Sequence, residues 1–266
     1  MKFPSHVEFE LTNNCQIACI MCPHKIMKRE RGYMSWEIFK KAVDECRHRV
    51  NTSYLHQIGE PLLHPKLIEM INYVEQGGIR TSISTNCLLL DENMAEKILD
   101  SQLSEITLCL DSLNAETYEK IRIGSNFKKV MENISMFLYK KEERRSKMHV
   151  QVQMIKMQEN RKEWDSFKVG KADEILVKNY STFAGNVNKN EAENKYRFGC
   201  RKSLNCLTIQ WNGDMVICCR DYEGVTKAGN ISTDTIEAVW NGEQYRIIRE
   251  AFAYHNFEKL SFCAKC

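Results

Sequence analysis

Between residues 7 and 178 the chain alternates short segments rich in β-branched residues with longer segments whose apolar residues recur every three or four positions. No other feature constrains the fold as much. A strand followed repeatedly by an amphipathic helix closes most simply as βα units, with parallel strands and helices covering the sheet. Strands are expected at 7–12, 54–58, 79–85, 105–110, 149–155 and 173–178. Helices are expected at 35–49, 65–75, 91–101, 115–121 continuing through 126–143, and 162–169. Six such pairs fall short of a closed eight-stranded barrel and suit an open, partial (β/α)6 barrel of the α/β class, whose chemistry gathers beyond the C-terminal ends of the strands.

The periodicity changes after a polar Asn- and Lys-rich stretch at 185–195. The expected division is therefore a barrel over 1–184, a linker over 185–198 and a small C-terminal domain over 199–266. In that last part, 207–211 and 215–218 flank Asn212-Gly213, the strongest turn signal in the chain, and read as a hairpin. One helix at 235–253 and a tail ending on Cys266 follow.

With 38 Lys plus Arg against 35 Asp plus Glu, the net charge of +3 offers no surface for a polyanion, so nucleic acid is not an expected partner. No run of eighteen apolar residues occurs and the N-terminus lacks the apolar core of a signal peptide, so no membrane partner is expected and the location is expected to be cytoplasmic. Twelve cysteines in a reducing compartment argue for metal binding or catalysis where they cluster, rather than for disulfides.

Directly after the first expected strand stand Cys15, Cys19 and Cys22, spaced by three and two residues. A tight loop of this kind wraps three thiolates around one face of a [4Fe–4S] cluster and leaves the fourth iron open. Zinc usually takes four protein ligands, and only His24 stands close enough downstream to complete a set.

This spacing after a first strand resembles the signature of the radical S-adenosylmethionine (SAM) superfamily, and the resemblance extends over nearly the whole chain. It implies that SAM chelates the open iron through its amino and carboxylate groups. One electron then breaks the S–C5′ bond, and the 5′-deoxyadenosyl radical takes a hydrogen atom from substrate. Further family features recur in order. Gly59-Glu60-Pro61 resembles the segment that binds the cofactor's amino group. Ser84-Thr85-Asn86 stands where the family has polar contacts to ribose or carboxylate, followed by Cys87 where glycine is more usual. Asp111-Ser112 occupies another family position near the cofactor, and Met21 stands where an aromatic residue commonly meets adenine. The resemblance thus implies Met21, Gly59, Glu60, Pro61, Ser84, Asn86, Asp111 and Ser112 as cofactor-binding residues.

Cys200, followed after twelve residues by Gly213 and after four more by Cys218, resembles the opening of the auxiliary-cluster domains called SPASM and twitch, and Cys263 and Cys266 close the site. A SPASM domain needs further cysteines for a second auxiliary cluster. The resemblance therefore implies the shorter twitch form, with one auxiliary [4Fe–4S] cluster held by Cys200, Cys218, Cys263 and Cys266. Cys206 and Cys219 are rival ligands, and a zinc ribbon is the alternative use of four thiolates.

A cluster saturated by four cysteines has no open iron and suits outer-sphere electron transfer. It can take the electron of a ketyl radical after hydrogen abstraction from a carbinol carbon. The chain is similar in this respect to the twitch-containing aminocyclitol dehydrogenase of the butirosin pathway. That similarity implies oxidation of a small carbohydrate-like substrate and an electron donor such as flavodoxin or ferredoxin. On the first strand Glu8, Glu10 and Thr12 alternate with Val7, Phe9 and Leu11, giving a polar inner face that reads as substrate- or cofactor-facing or as salt-bridged structural glutamates. The resemblance to an acidic residue at that point in the dehydrogenase implies Glu8 as the substrate-binding residue. The loop at 179–186 lacks the arginine that the dehydrogenase carries near its substrate, so a different substrate is expected. Asp221, just beyond Cys218-Cys219-Arg220, is similar in placement to an aspartate of sulfatase-maturating enzymes, which implies it as a candidate general base; the alternative is an aspartate in a solvated turn. Cys109 shares a strand face with Thr107 and Asp111. It reads as a buried core cysteine or as a hydrogen-atom donor that would make the reaction an epimerisation. A peptide- or protein-modifying maturase is the remaining enzymatic reading; strand one begins within the first ten residues, ahead of which no leader-gripping domain is expected.

Overall fold

The computed structural model describes residues 3–187, 200, 204–257 and 260–265. Six parallel strands run across the barrel in the order β1 (His6–Phe9), β3 (Thr52–Tyr54), β4 (Arg80–Thr85), β5 (Glu105–Cys109), β7 (His149–Ile155) and β8 (Glu174–Lys178). Five of the six overlap the expected strands over most of their length; β3 shares only Tyr54 with the expected 54–58, starting and ending earlier and leaving 55–58 to form a loop. The chain thus has the partial α/β barrel expected from its sequence.

Strand alternation divides this wall into two faces. Val7, Phe9, Ile83, Ile106, Leu108, Val150 and Val152 are fully buried in the core beneath the helices, where Phe9 meets Phe39 edge-on at 5.2 Å. The inner face carries Glu8, Ser84, Thr107, Cys109, Gln151 and Gln153. Registers Ser84 to Thr107, Thr107 to Gln151, and Cys109 to Gln153 set these groups in rows across the sheet. A polar inner face on buried strands is costly unless its groups are bonded. Here Thr107 donates to Gln151 and Gln153 donates to the Cys109 sulfur.

The helices are α1 (Trp36–Cys46), α2 (Leu67–Gln76), α3 (Glu92–Asp100), α4 (Ala115–Ile121) and α5 (Phe127–Glu143). Side chains of Ser35, Asp91, Asn114 and Asn126 cap all but α2, each accepting from the backbone N–H three residues on. The expected continuity of 115–143 is broken at Gly124 (φ +89°). There β6 (Arg122–Ile123) pairs antiparallel with β2 (Ala18–Cys19). The helix expected at 162–169 is reduced to a 3-10 turn, Arg161–Glu163. Tertiary bonds claim its residues instead: the Glu163 carboxylate accepts from Ser112 and Leu113, and the Trp164 indole donates to Asn160.

After the undescribed stretch, β9 (Cys206–Ile209) lies parallel against β1, with Val7 opposite Leu207 and Phe9 opposite Ile209. β10 (Asp214–Val216) and β11 (Lys227–Asn230) follow antiparallel, so one sheet of nine strands runs through both parts of the chain. β11 has no alternating apolar pattern and was not legible; Asn230, bonded to Asp214 and Asp234, fixes its end. The single helix expected at 235–253 is two, α6 (Ile236–Asn241) and α7 (Glu243–Ala253), separated by extended Gly242 (ψ 176°). The expected linker at 185–198 lies mostly outside the described residues.

The loop following the three N-terminal cysteines is clamped to the C-terminal part. Buried Glu10 pairs with Arg29 and accepts from the Trp211 N–H, and Arg29 donates in turn to the Tyr222 carbonyl. The Glu223 carboxylate accepts from the backbone N–H groups of Lys28 and Arg29, at 2.9 and 3.2 Å. Glu10 is therefore a structural ion-paired residue. Burial pushes its carboxyl up against the opposing effect of Arg29. Arg29→Ala should cost about 3–5 kcal/mol by leaving that carboxylate buried and unpaired. Because the folded pKa of Glu10 lies above its ordinary value, and further above it in the variant, protonation favours the folded state. The deficit should shrink as pH falls through the raised pKa and be largest above it, as read from urea midpoints of both proteins at pH 5 and pH 8.

Candidate active site

The end of β1 is fixed before the cysteines begin. Thr12 donates to the Gly32 carbonyl at 2.6 Å, and the Asn13 side chain bonds both Gly32 N–H and the Glu30 carbonyl. Beyond it, Cys15, Cys19 and Cys22 all border one cavity of about 350 Å³ at the C-terminal ends of the strands. A turn from the Cys22 N–H to the Cys19 carbonyl (3.1 Å) folds the loop, and the β2–β6 pairing holds Cys19 opposite Arg122.

Among the described residues no three His, Cys, Asp or Glu side chains surround a point that a single metal ion could occupy. A four-iron cluster makes no such demand, since each thiolate binds its own iron. Three partly exposed thiols opening onto one cavity fit that group as a donor set. Burial raises all three thiols, Cys19 to about 11 and Cys22 to about 12. They are therefore protonated at neutral pH without metal, and loading a cluster must displace those protons.

The wall facing the cysteines comes from the loops after β3 and β4. Gly59 lies so close to β1 that a Cβ there would stand 2.2 Å from the Thr12 carbonyl oxygen. Glu60 is buried; one oxygen accepts from the Leu62 N–H (3.1 Å), the other from the Asn86 N–H (2.8 Å). Desolvation raises its pKa despite those bonds. Asn86 reaches the Cys15 sulfur at 3.7 Å and accepts from Gln16 at 3.1 Å, tying this wall to the cysteine loop. Cys87, at φ +64°, has the left-handed backbone that explains why glycine is the usual choice there.

Of the residues expected at the cofactor, Met21, Gly59, Glu60, Ser84 and Asn86 border the cavity, whereas Pro61, Asp111 and Ser112 stand outside its lining. Pro61 opens a 3-10 turn. Ser112 donates to Glu163. Asp111, at φ +65°, accepts the Ile155 N–H on one oxygen and Arg122 on the other, at 2.6 and 2.9 Å. Arg122 itself lines the cavity and extends to the Cys19 sulfur at 3.9 Å. Sequence reasoning missed it because only the two-residue β2–β6 ladder brings it there.

Glu8 also borders the cavity, accepting from Thr208 at 3.2 Å, as do His56, Gln57, Gln153, Lys178 and Arg220. Lys178 ends β8, a position that strand-end reasoning could have flagged. Cys109 also lines the cavity; burial pushes its thiol up to about 11, so it is an S–H at neutral pH. Asp221 does not line it. Its carboxylate accepts from Val225 N–H and from both the N–H and hydroxyl of Thr226, and so closes the turn after Cys218-Cys219.

In the C-terminal part, Cys218 follows β10, and continuing the β9–β10 register two residues sets it opposite Cys206. Both thiols lie close enough to the buried Tyr245 hydroxyl on α7 to raise its pKa, after burial itself. Cys263 begins a 3-10 turn, Cys263–Lys265, and Cys266 lies outside the described residues. The adjacent Cys219 lines the barrel cavity, where Gln57 donates to its carbonyl at 2.9 Å. Two consecutive cysteines thus border the barrel site and the β9–β10 cysteines.

The family model for the radical SAM superfamily matches residues 9–143, half of the chain, and the chain belongs to that superfamily. Residues 200–266 match the SPASM iron-sulfur cluster-binding domain. The protein is accordingly a radical SAM enzyme, with a [4Fe–4S] cluster and SAM at the barrel and auxiliary iron–sulfur binding in its C-terminal part. It is 26% identical over 164 residues to a tungsten-containing aldehyde ferredoxin oxidoreductase cofactor-modifying protein of Pyrococcus furiosus, covering 59% of this chain and 45% of that protein. It is 31% identical over 130 residues to a probable GTP 3′,8-cyclase of Methanococcus maripaludis, covering 47% and 42%. The chain thus spans less than half the length of these curated relatives. Among solved structures it superposes on BtrN in complex with AdoMet and 2-DOIA, with a TM-score of 0.71 and 17% identity over 98% of this chain and 92% of that one. It superposes equally, at 0.71 and 16% identity, on Streptococcus suis SuiB bound to the precursor peptide SuiA, over 94% and 67%. At that identity the likeness is one of fold. No helix among the described residues is long and apolar enough to cross a membrane.

Proposed function

We propose that this chain oxidises a carbinol carbon of a small, polar, carbohydrate-like substrate, using Cys15, Cys19 and Cys22 for the SAM-binding cluster and Cys200, Cys218, Cys263 and Cys266 for an auxiliary one. When bound, the first cluster with SAM supplies the 5′-deoxyadenosyl radical, and the auxiliary cluster supplies an electron sink. The protein's own part is to hold, orient and deprotonate. Gly59, Ser84 and Asn86 offer backbone approach and polar contacts on the cofactor wall. Glu8, which lines the same cavity, would accept the hydroxyl proton that must leave as the carbinol becomes a carbonyl. A flavodoxin or ferredoxin would deliver the initiating electron.

The observation that carries this reading is the Cys218-Cys219 step: Cys219 lines the cavity and accepts the Gln57 amide N–H on its carbonyl, one residue from the proposed auxiliary ligand Cys218. That adjacency offers an electron leaving the substrate a route toward the second site. Alignment with the BtrN structure over 92% of its chain adds support.

The experiment is a panel of aminocyclitols and sugars deuterated at their carbinol carbons, incubated with SAM and dithionite. Deuterium should appear in 5′-deoxyadenosine together with a ketone. Cys263→Ala should still form 5′-deoxyadenosine but lose ketone. Transfer from a peptide and from no carbinol would overturn the proposal. Cys109, a protonated thiol on the cavity wall, favours a second reading, epimerisation by return of a hydrogen atom. That outcome would show as solvent deuterium in a product of unchanged oxidation level, abolished in Cys109→Ala.

A further inference from the structure

We infer that the buried Asp111–Arg122 pair sets the reduction potential of the barrel cluster, with Arg122 as the element that makes the cluster easier to reduce. The inference rests on the assignment of Cys15, Cys19 and Cys22 as cluster ligands. It concerns a residue that the sequence pattern did not single out.

Arg122 is buried, with 5% of its surface exposed, and reaches toward Cys19 from the β6 strand paired to it. Its Nη1 lies 3.9 Å from the Cys19 sulfur, while Nε and Nη2 both donate to one oxygen of Asp111. The guanidinium therefore stands between thiolate and carboxylate, with the cation in contact with the ligand and the anion one group further away.

One-electron reduction adds a unit of negative charge to a cluster already surrounded by thiolates, in a site where water screens little. A cation touching a ligand stabilises the reduced state more than the oxidised one and so raises the potential. An anion in the same site does the reverse. Hydrogen bonds to cluster sulfurs and net local charge are among the levers by which proteins tune such centres.

The pair also explains the backbone. Asp111 is held at φ +65°, a conformation unfavourable to a residue with a side chain. It stays there because the Ile155 N–H, the Asn160 amide and Arg122 all bond it. Both residues are buried away from the outer surface, and Arg122 lines the cavity together with Ile17 and Ile155.

The test is redox titration of the barrel cluster by electron paramagnetic resonance, without SAM or substrate, in protein carrying Cys263→Ala so that the auxiliary signal does not overlap. Arg122→Gln should shift the midpoint to more negative values and Asp111→Asn to more positive ones. The double variant Asp111→Asn with Arg122→Gln, which leaves no unpaired buried charge, should lie below wild type because the lost cation was nearer. If Arg122→Gln does not hold iron, the double variant and Asp111→Asn still decide. Shifts of the same sign in both, or no shift in either, would overturn the inference and leave the pair a purely structural bridge. Absence of any cluster after Cys15, Cys19 and Cys22 are intact would count instead against the ligand assignment, and iron content measured beforehand separates the two failures.

Discussion

Replacing Cys15, Cys19 and Cys22 together by alanine should lower anaerobically reconstituted iron from about eight to about four atoms per chain and abolish 5′-deoxyadenosine formation. The structure gives a reason for expecting a clean loss rather than a collapse of the fold. The three thiols border a cavity and are partly exposed, and none belongs to the large apolar core. Shortening them to alanine leaves no buried charge behind and breaks no backbone bond. The turn from the Cys22 N–H to the Cys19 carbonyl and the β2–β6 ladder both survive, since neither uses a side chain. Thermal unfolding of the metal-free triple variant should therefore match that of metal-free wild type. The remaining iron should sit in the C-terminal site and give its own resonance signal. Retention of about eight irons, or 5′-deoxyadenosine from the variant, would place the SAM-binding cluster elsewhere.

Much of this architecture was legible because it depends on local periodicity. β4, β5, β7 and β8 coincide within a residue or two with the expected strands, and helices α1 to α5 begin at side-chain caps or alternations visible in the sequence. Non-local pairings left no comparable trace. β6 is two residues long, and nothing in Arg122-Ile123 signals a strand until β2 is beside it. The joining of β9 to β1 across two hundred residues is equally invisible, yet it makes one sheet of both parts and seats Thr208 on Glu8.

The site shows the same division. The cysteines and Gly59-Glu60 lie in the first loops beyond their strands and Ser84-Thr85-Asn86 at the end of β4, so sequence order already implied proximity. Asp111 shows the limit of that reasoning. Its position after β5 is as expected, but its side chain turns to Arg122 and Ile155 rather than into the cavity. Asp221 likewise follows the cysteine pair and spends its oxygens on the turn at 221–226. Position after a strand predicts neighbourhood; which way a carboxylate points depends on the unpaired N–H groups around it, and those come from elsewhere in the chain.

Gly59→Ala should impair cluster loading and SAM binding more than its single added methyl suggests. A Cβ at Gly59 would meet the Thr12 carbonyl oxygen at 2.2 Å, the Thr12 carbonyl carbon at 2.8 Å and the Asn14 carbonyl oxygen at 2.7 Å. All three are backbone atoms, which cannot rotate aside as a side chain would. Nor can the strand end retreat easily, because Thr12 and Asn13 are bonded to Gly32 and Glu30 on its other side. The strain must fall on the contact between 12–14 and 59–60, where the Glu60 N–H donates to the Asn14 carbonyl at 2.8 Å. Cys15 follows directly on one side and buried Glu60 on the other, so both cofactor walls shift apart. Overpacking of this kind costs about 1–3 kcal/mol. Borne by the binding-competent arrangement, that is roughly a 5- to 150-fold loss of SAM affinity. Equilibrium dialysis with labelled SAM, with iron content determined on the same samples, checks it. Wild-type affinity and full iron in the alanine variant would show that β1 and the 59–60 loop are not in the close contact described, and with it the shared wall of the site would have to be redrawn.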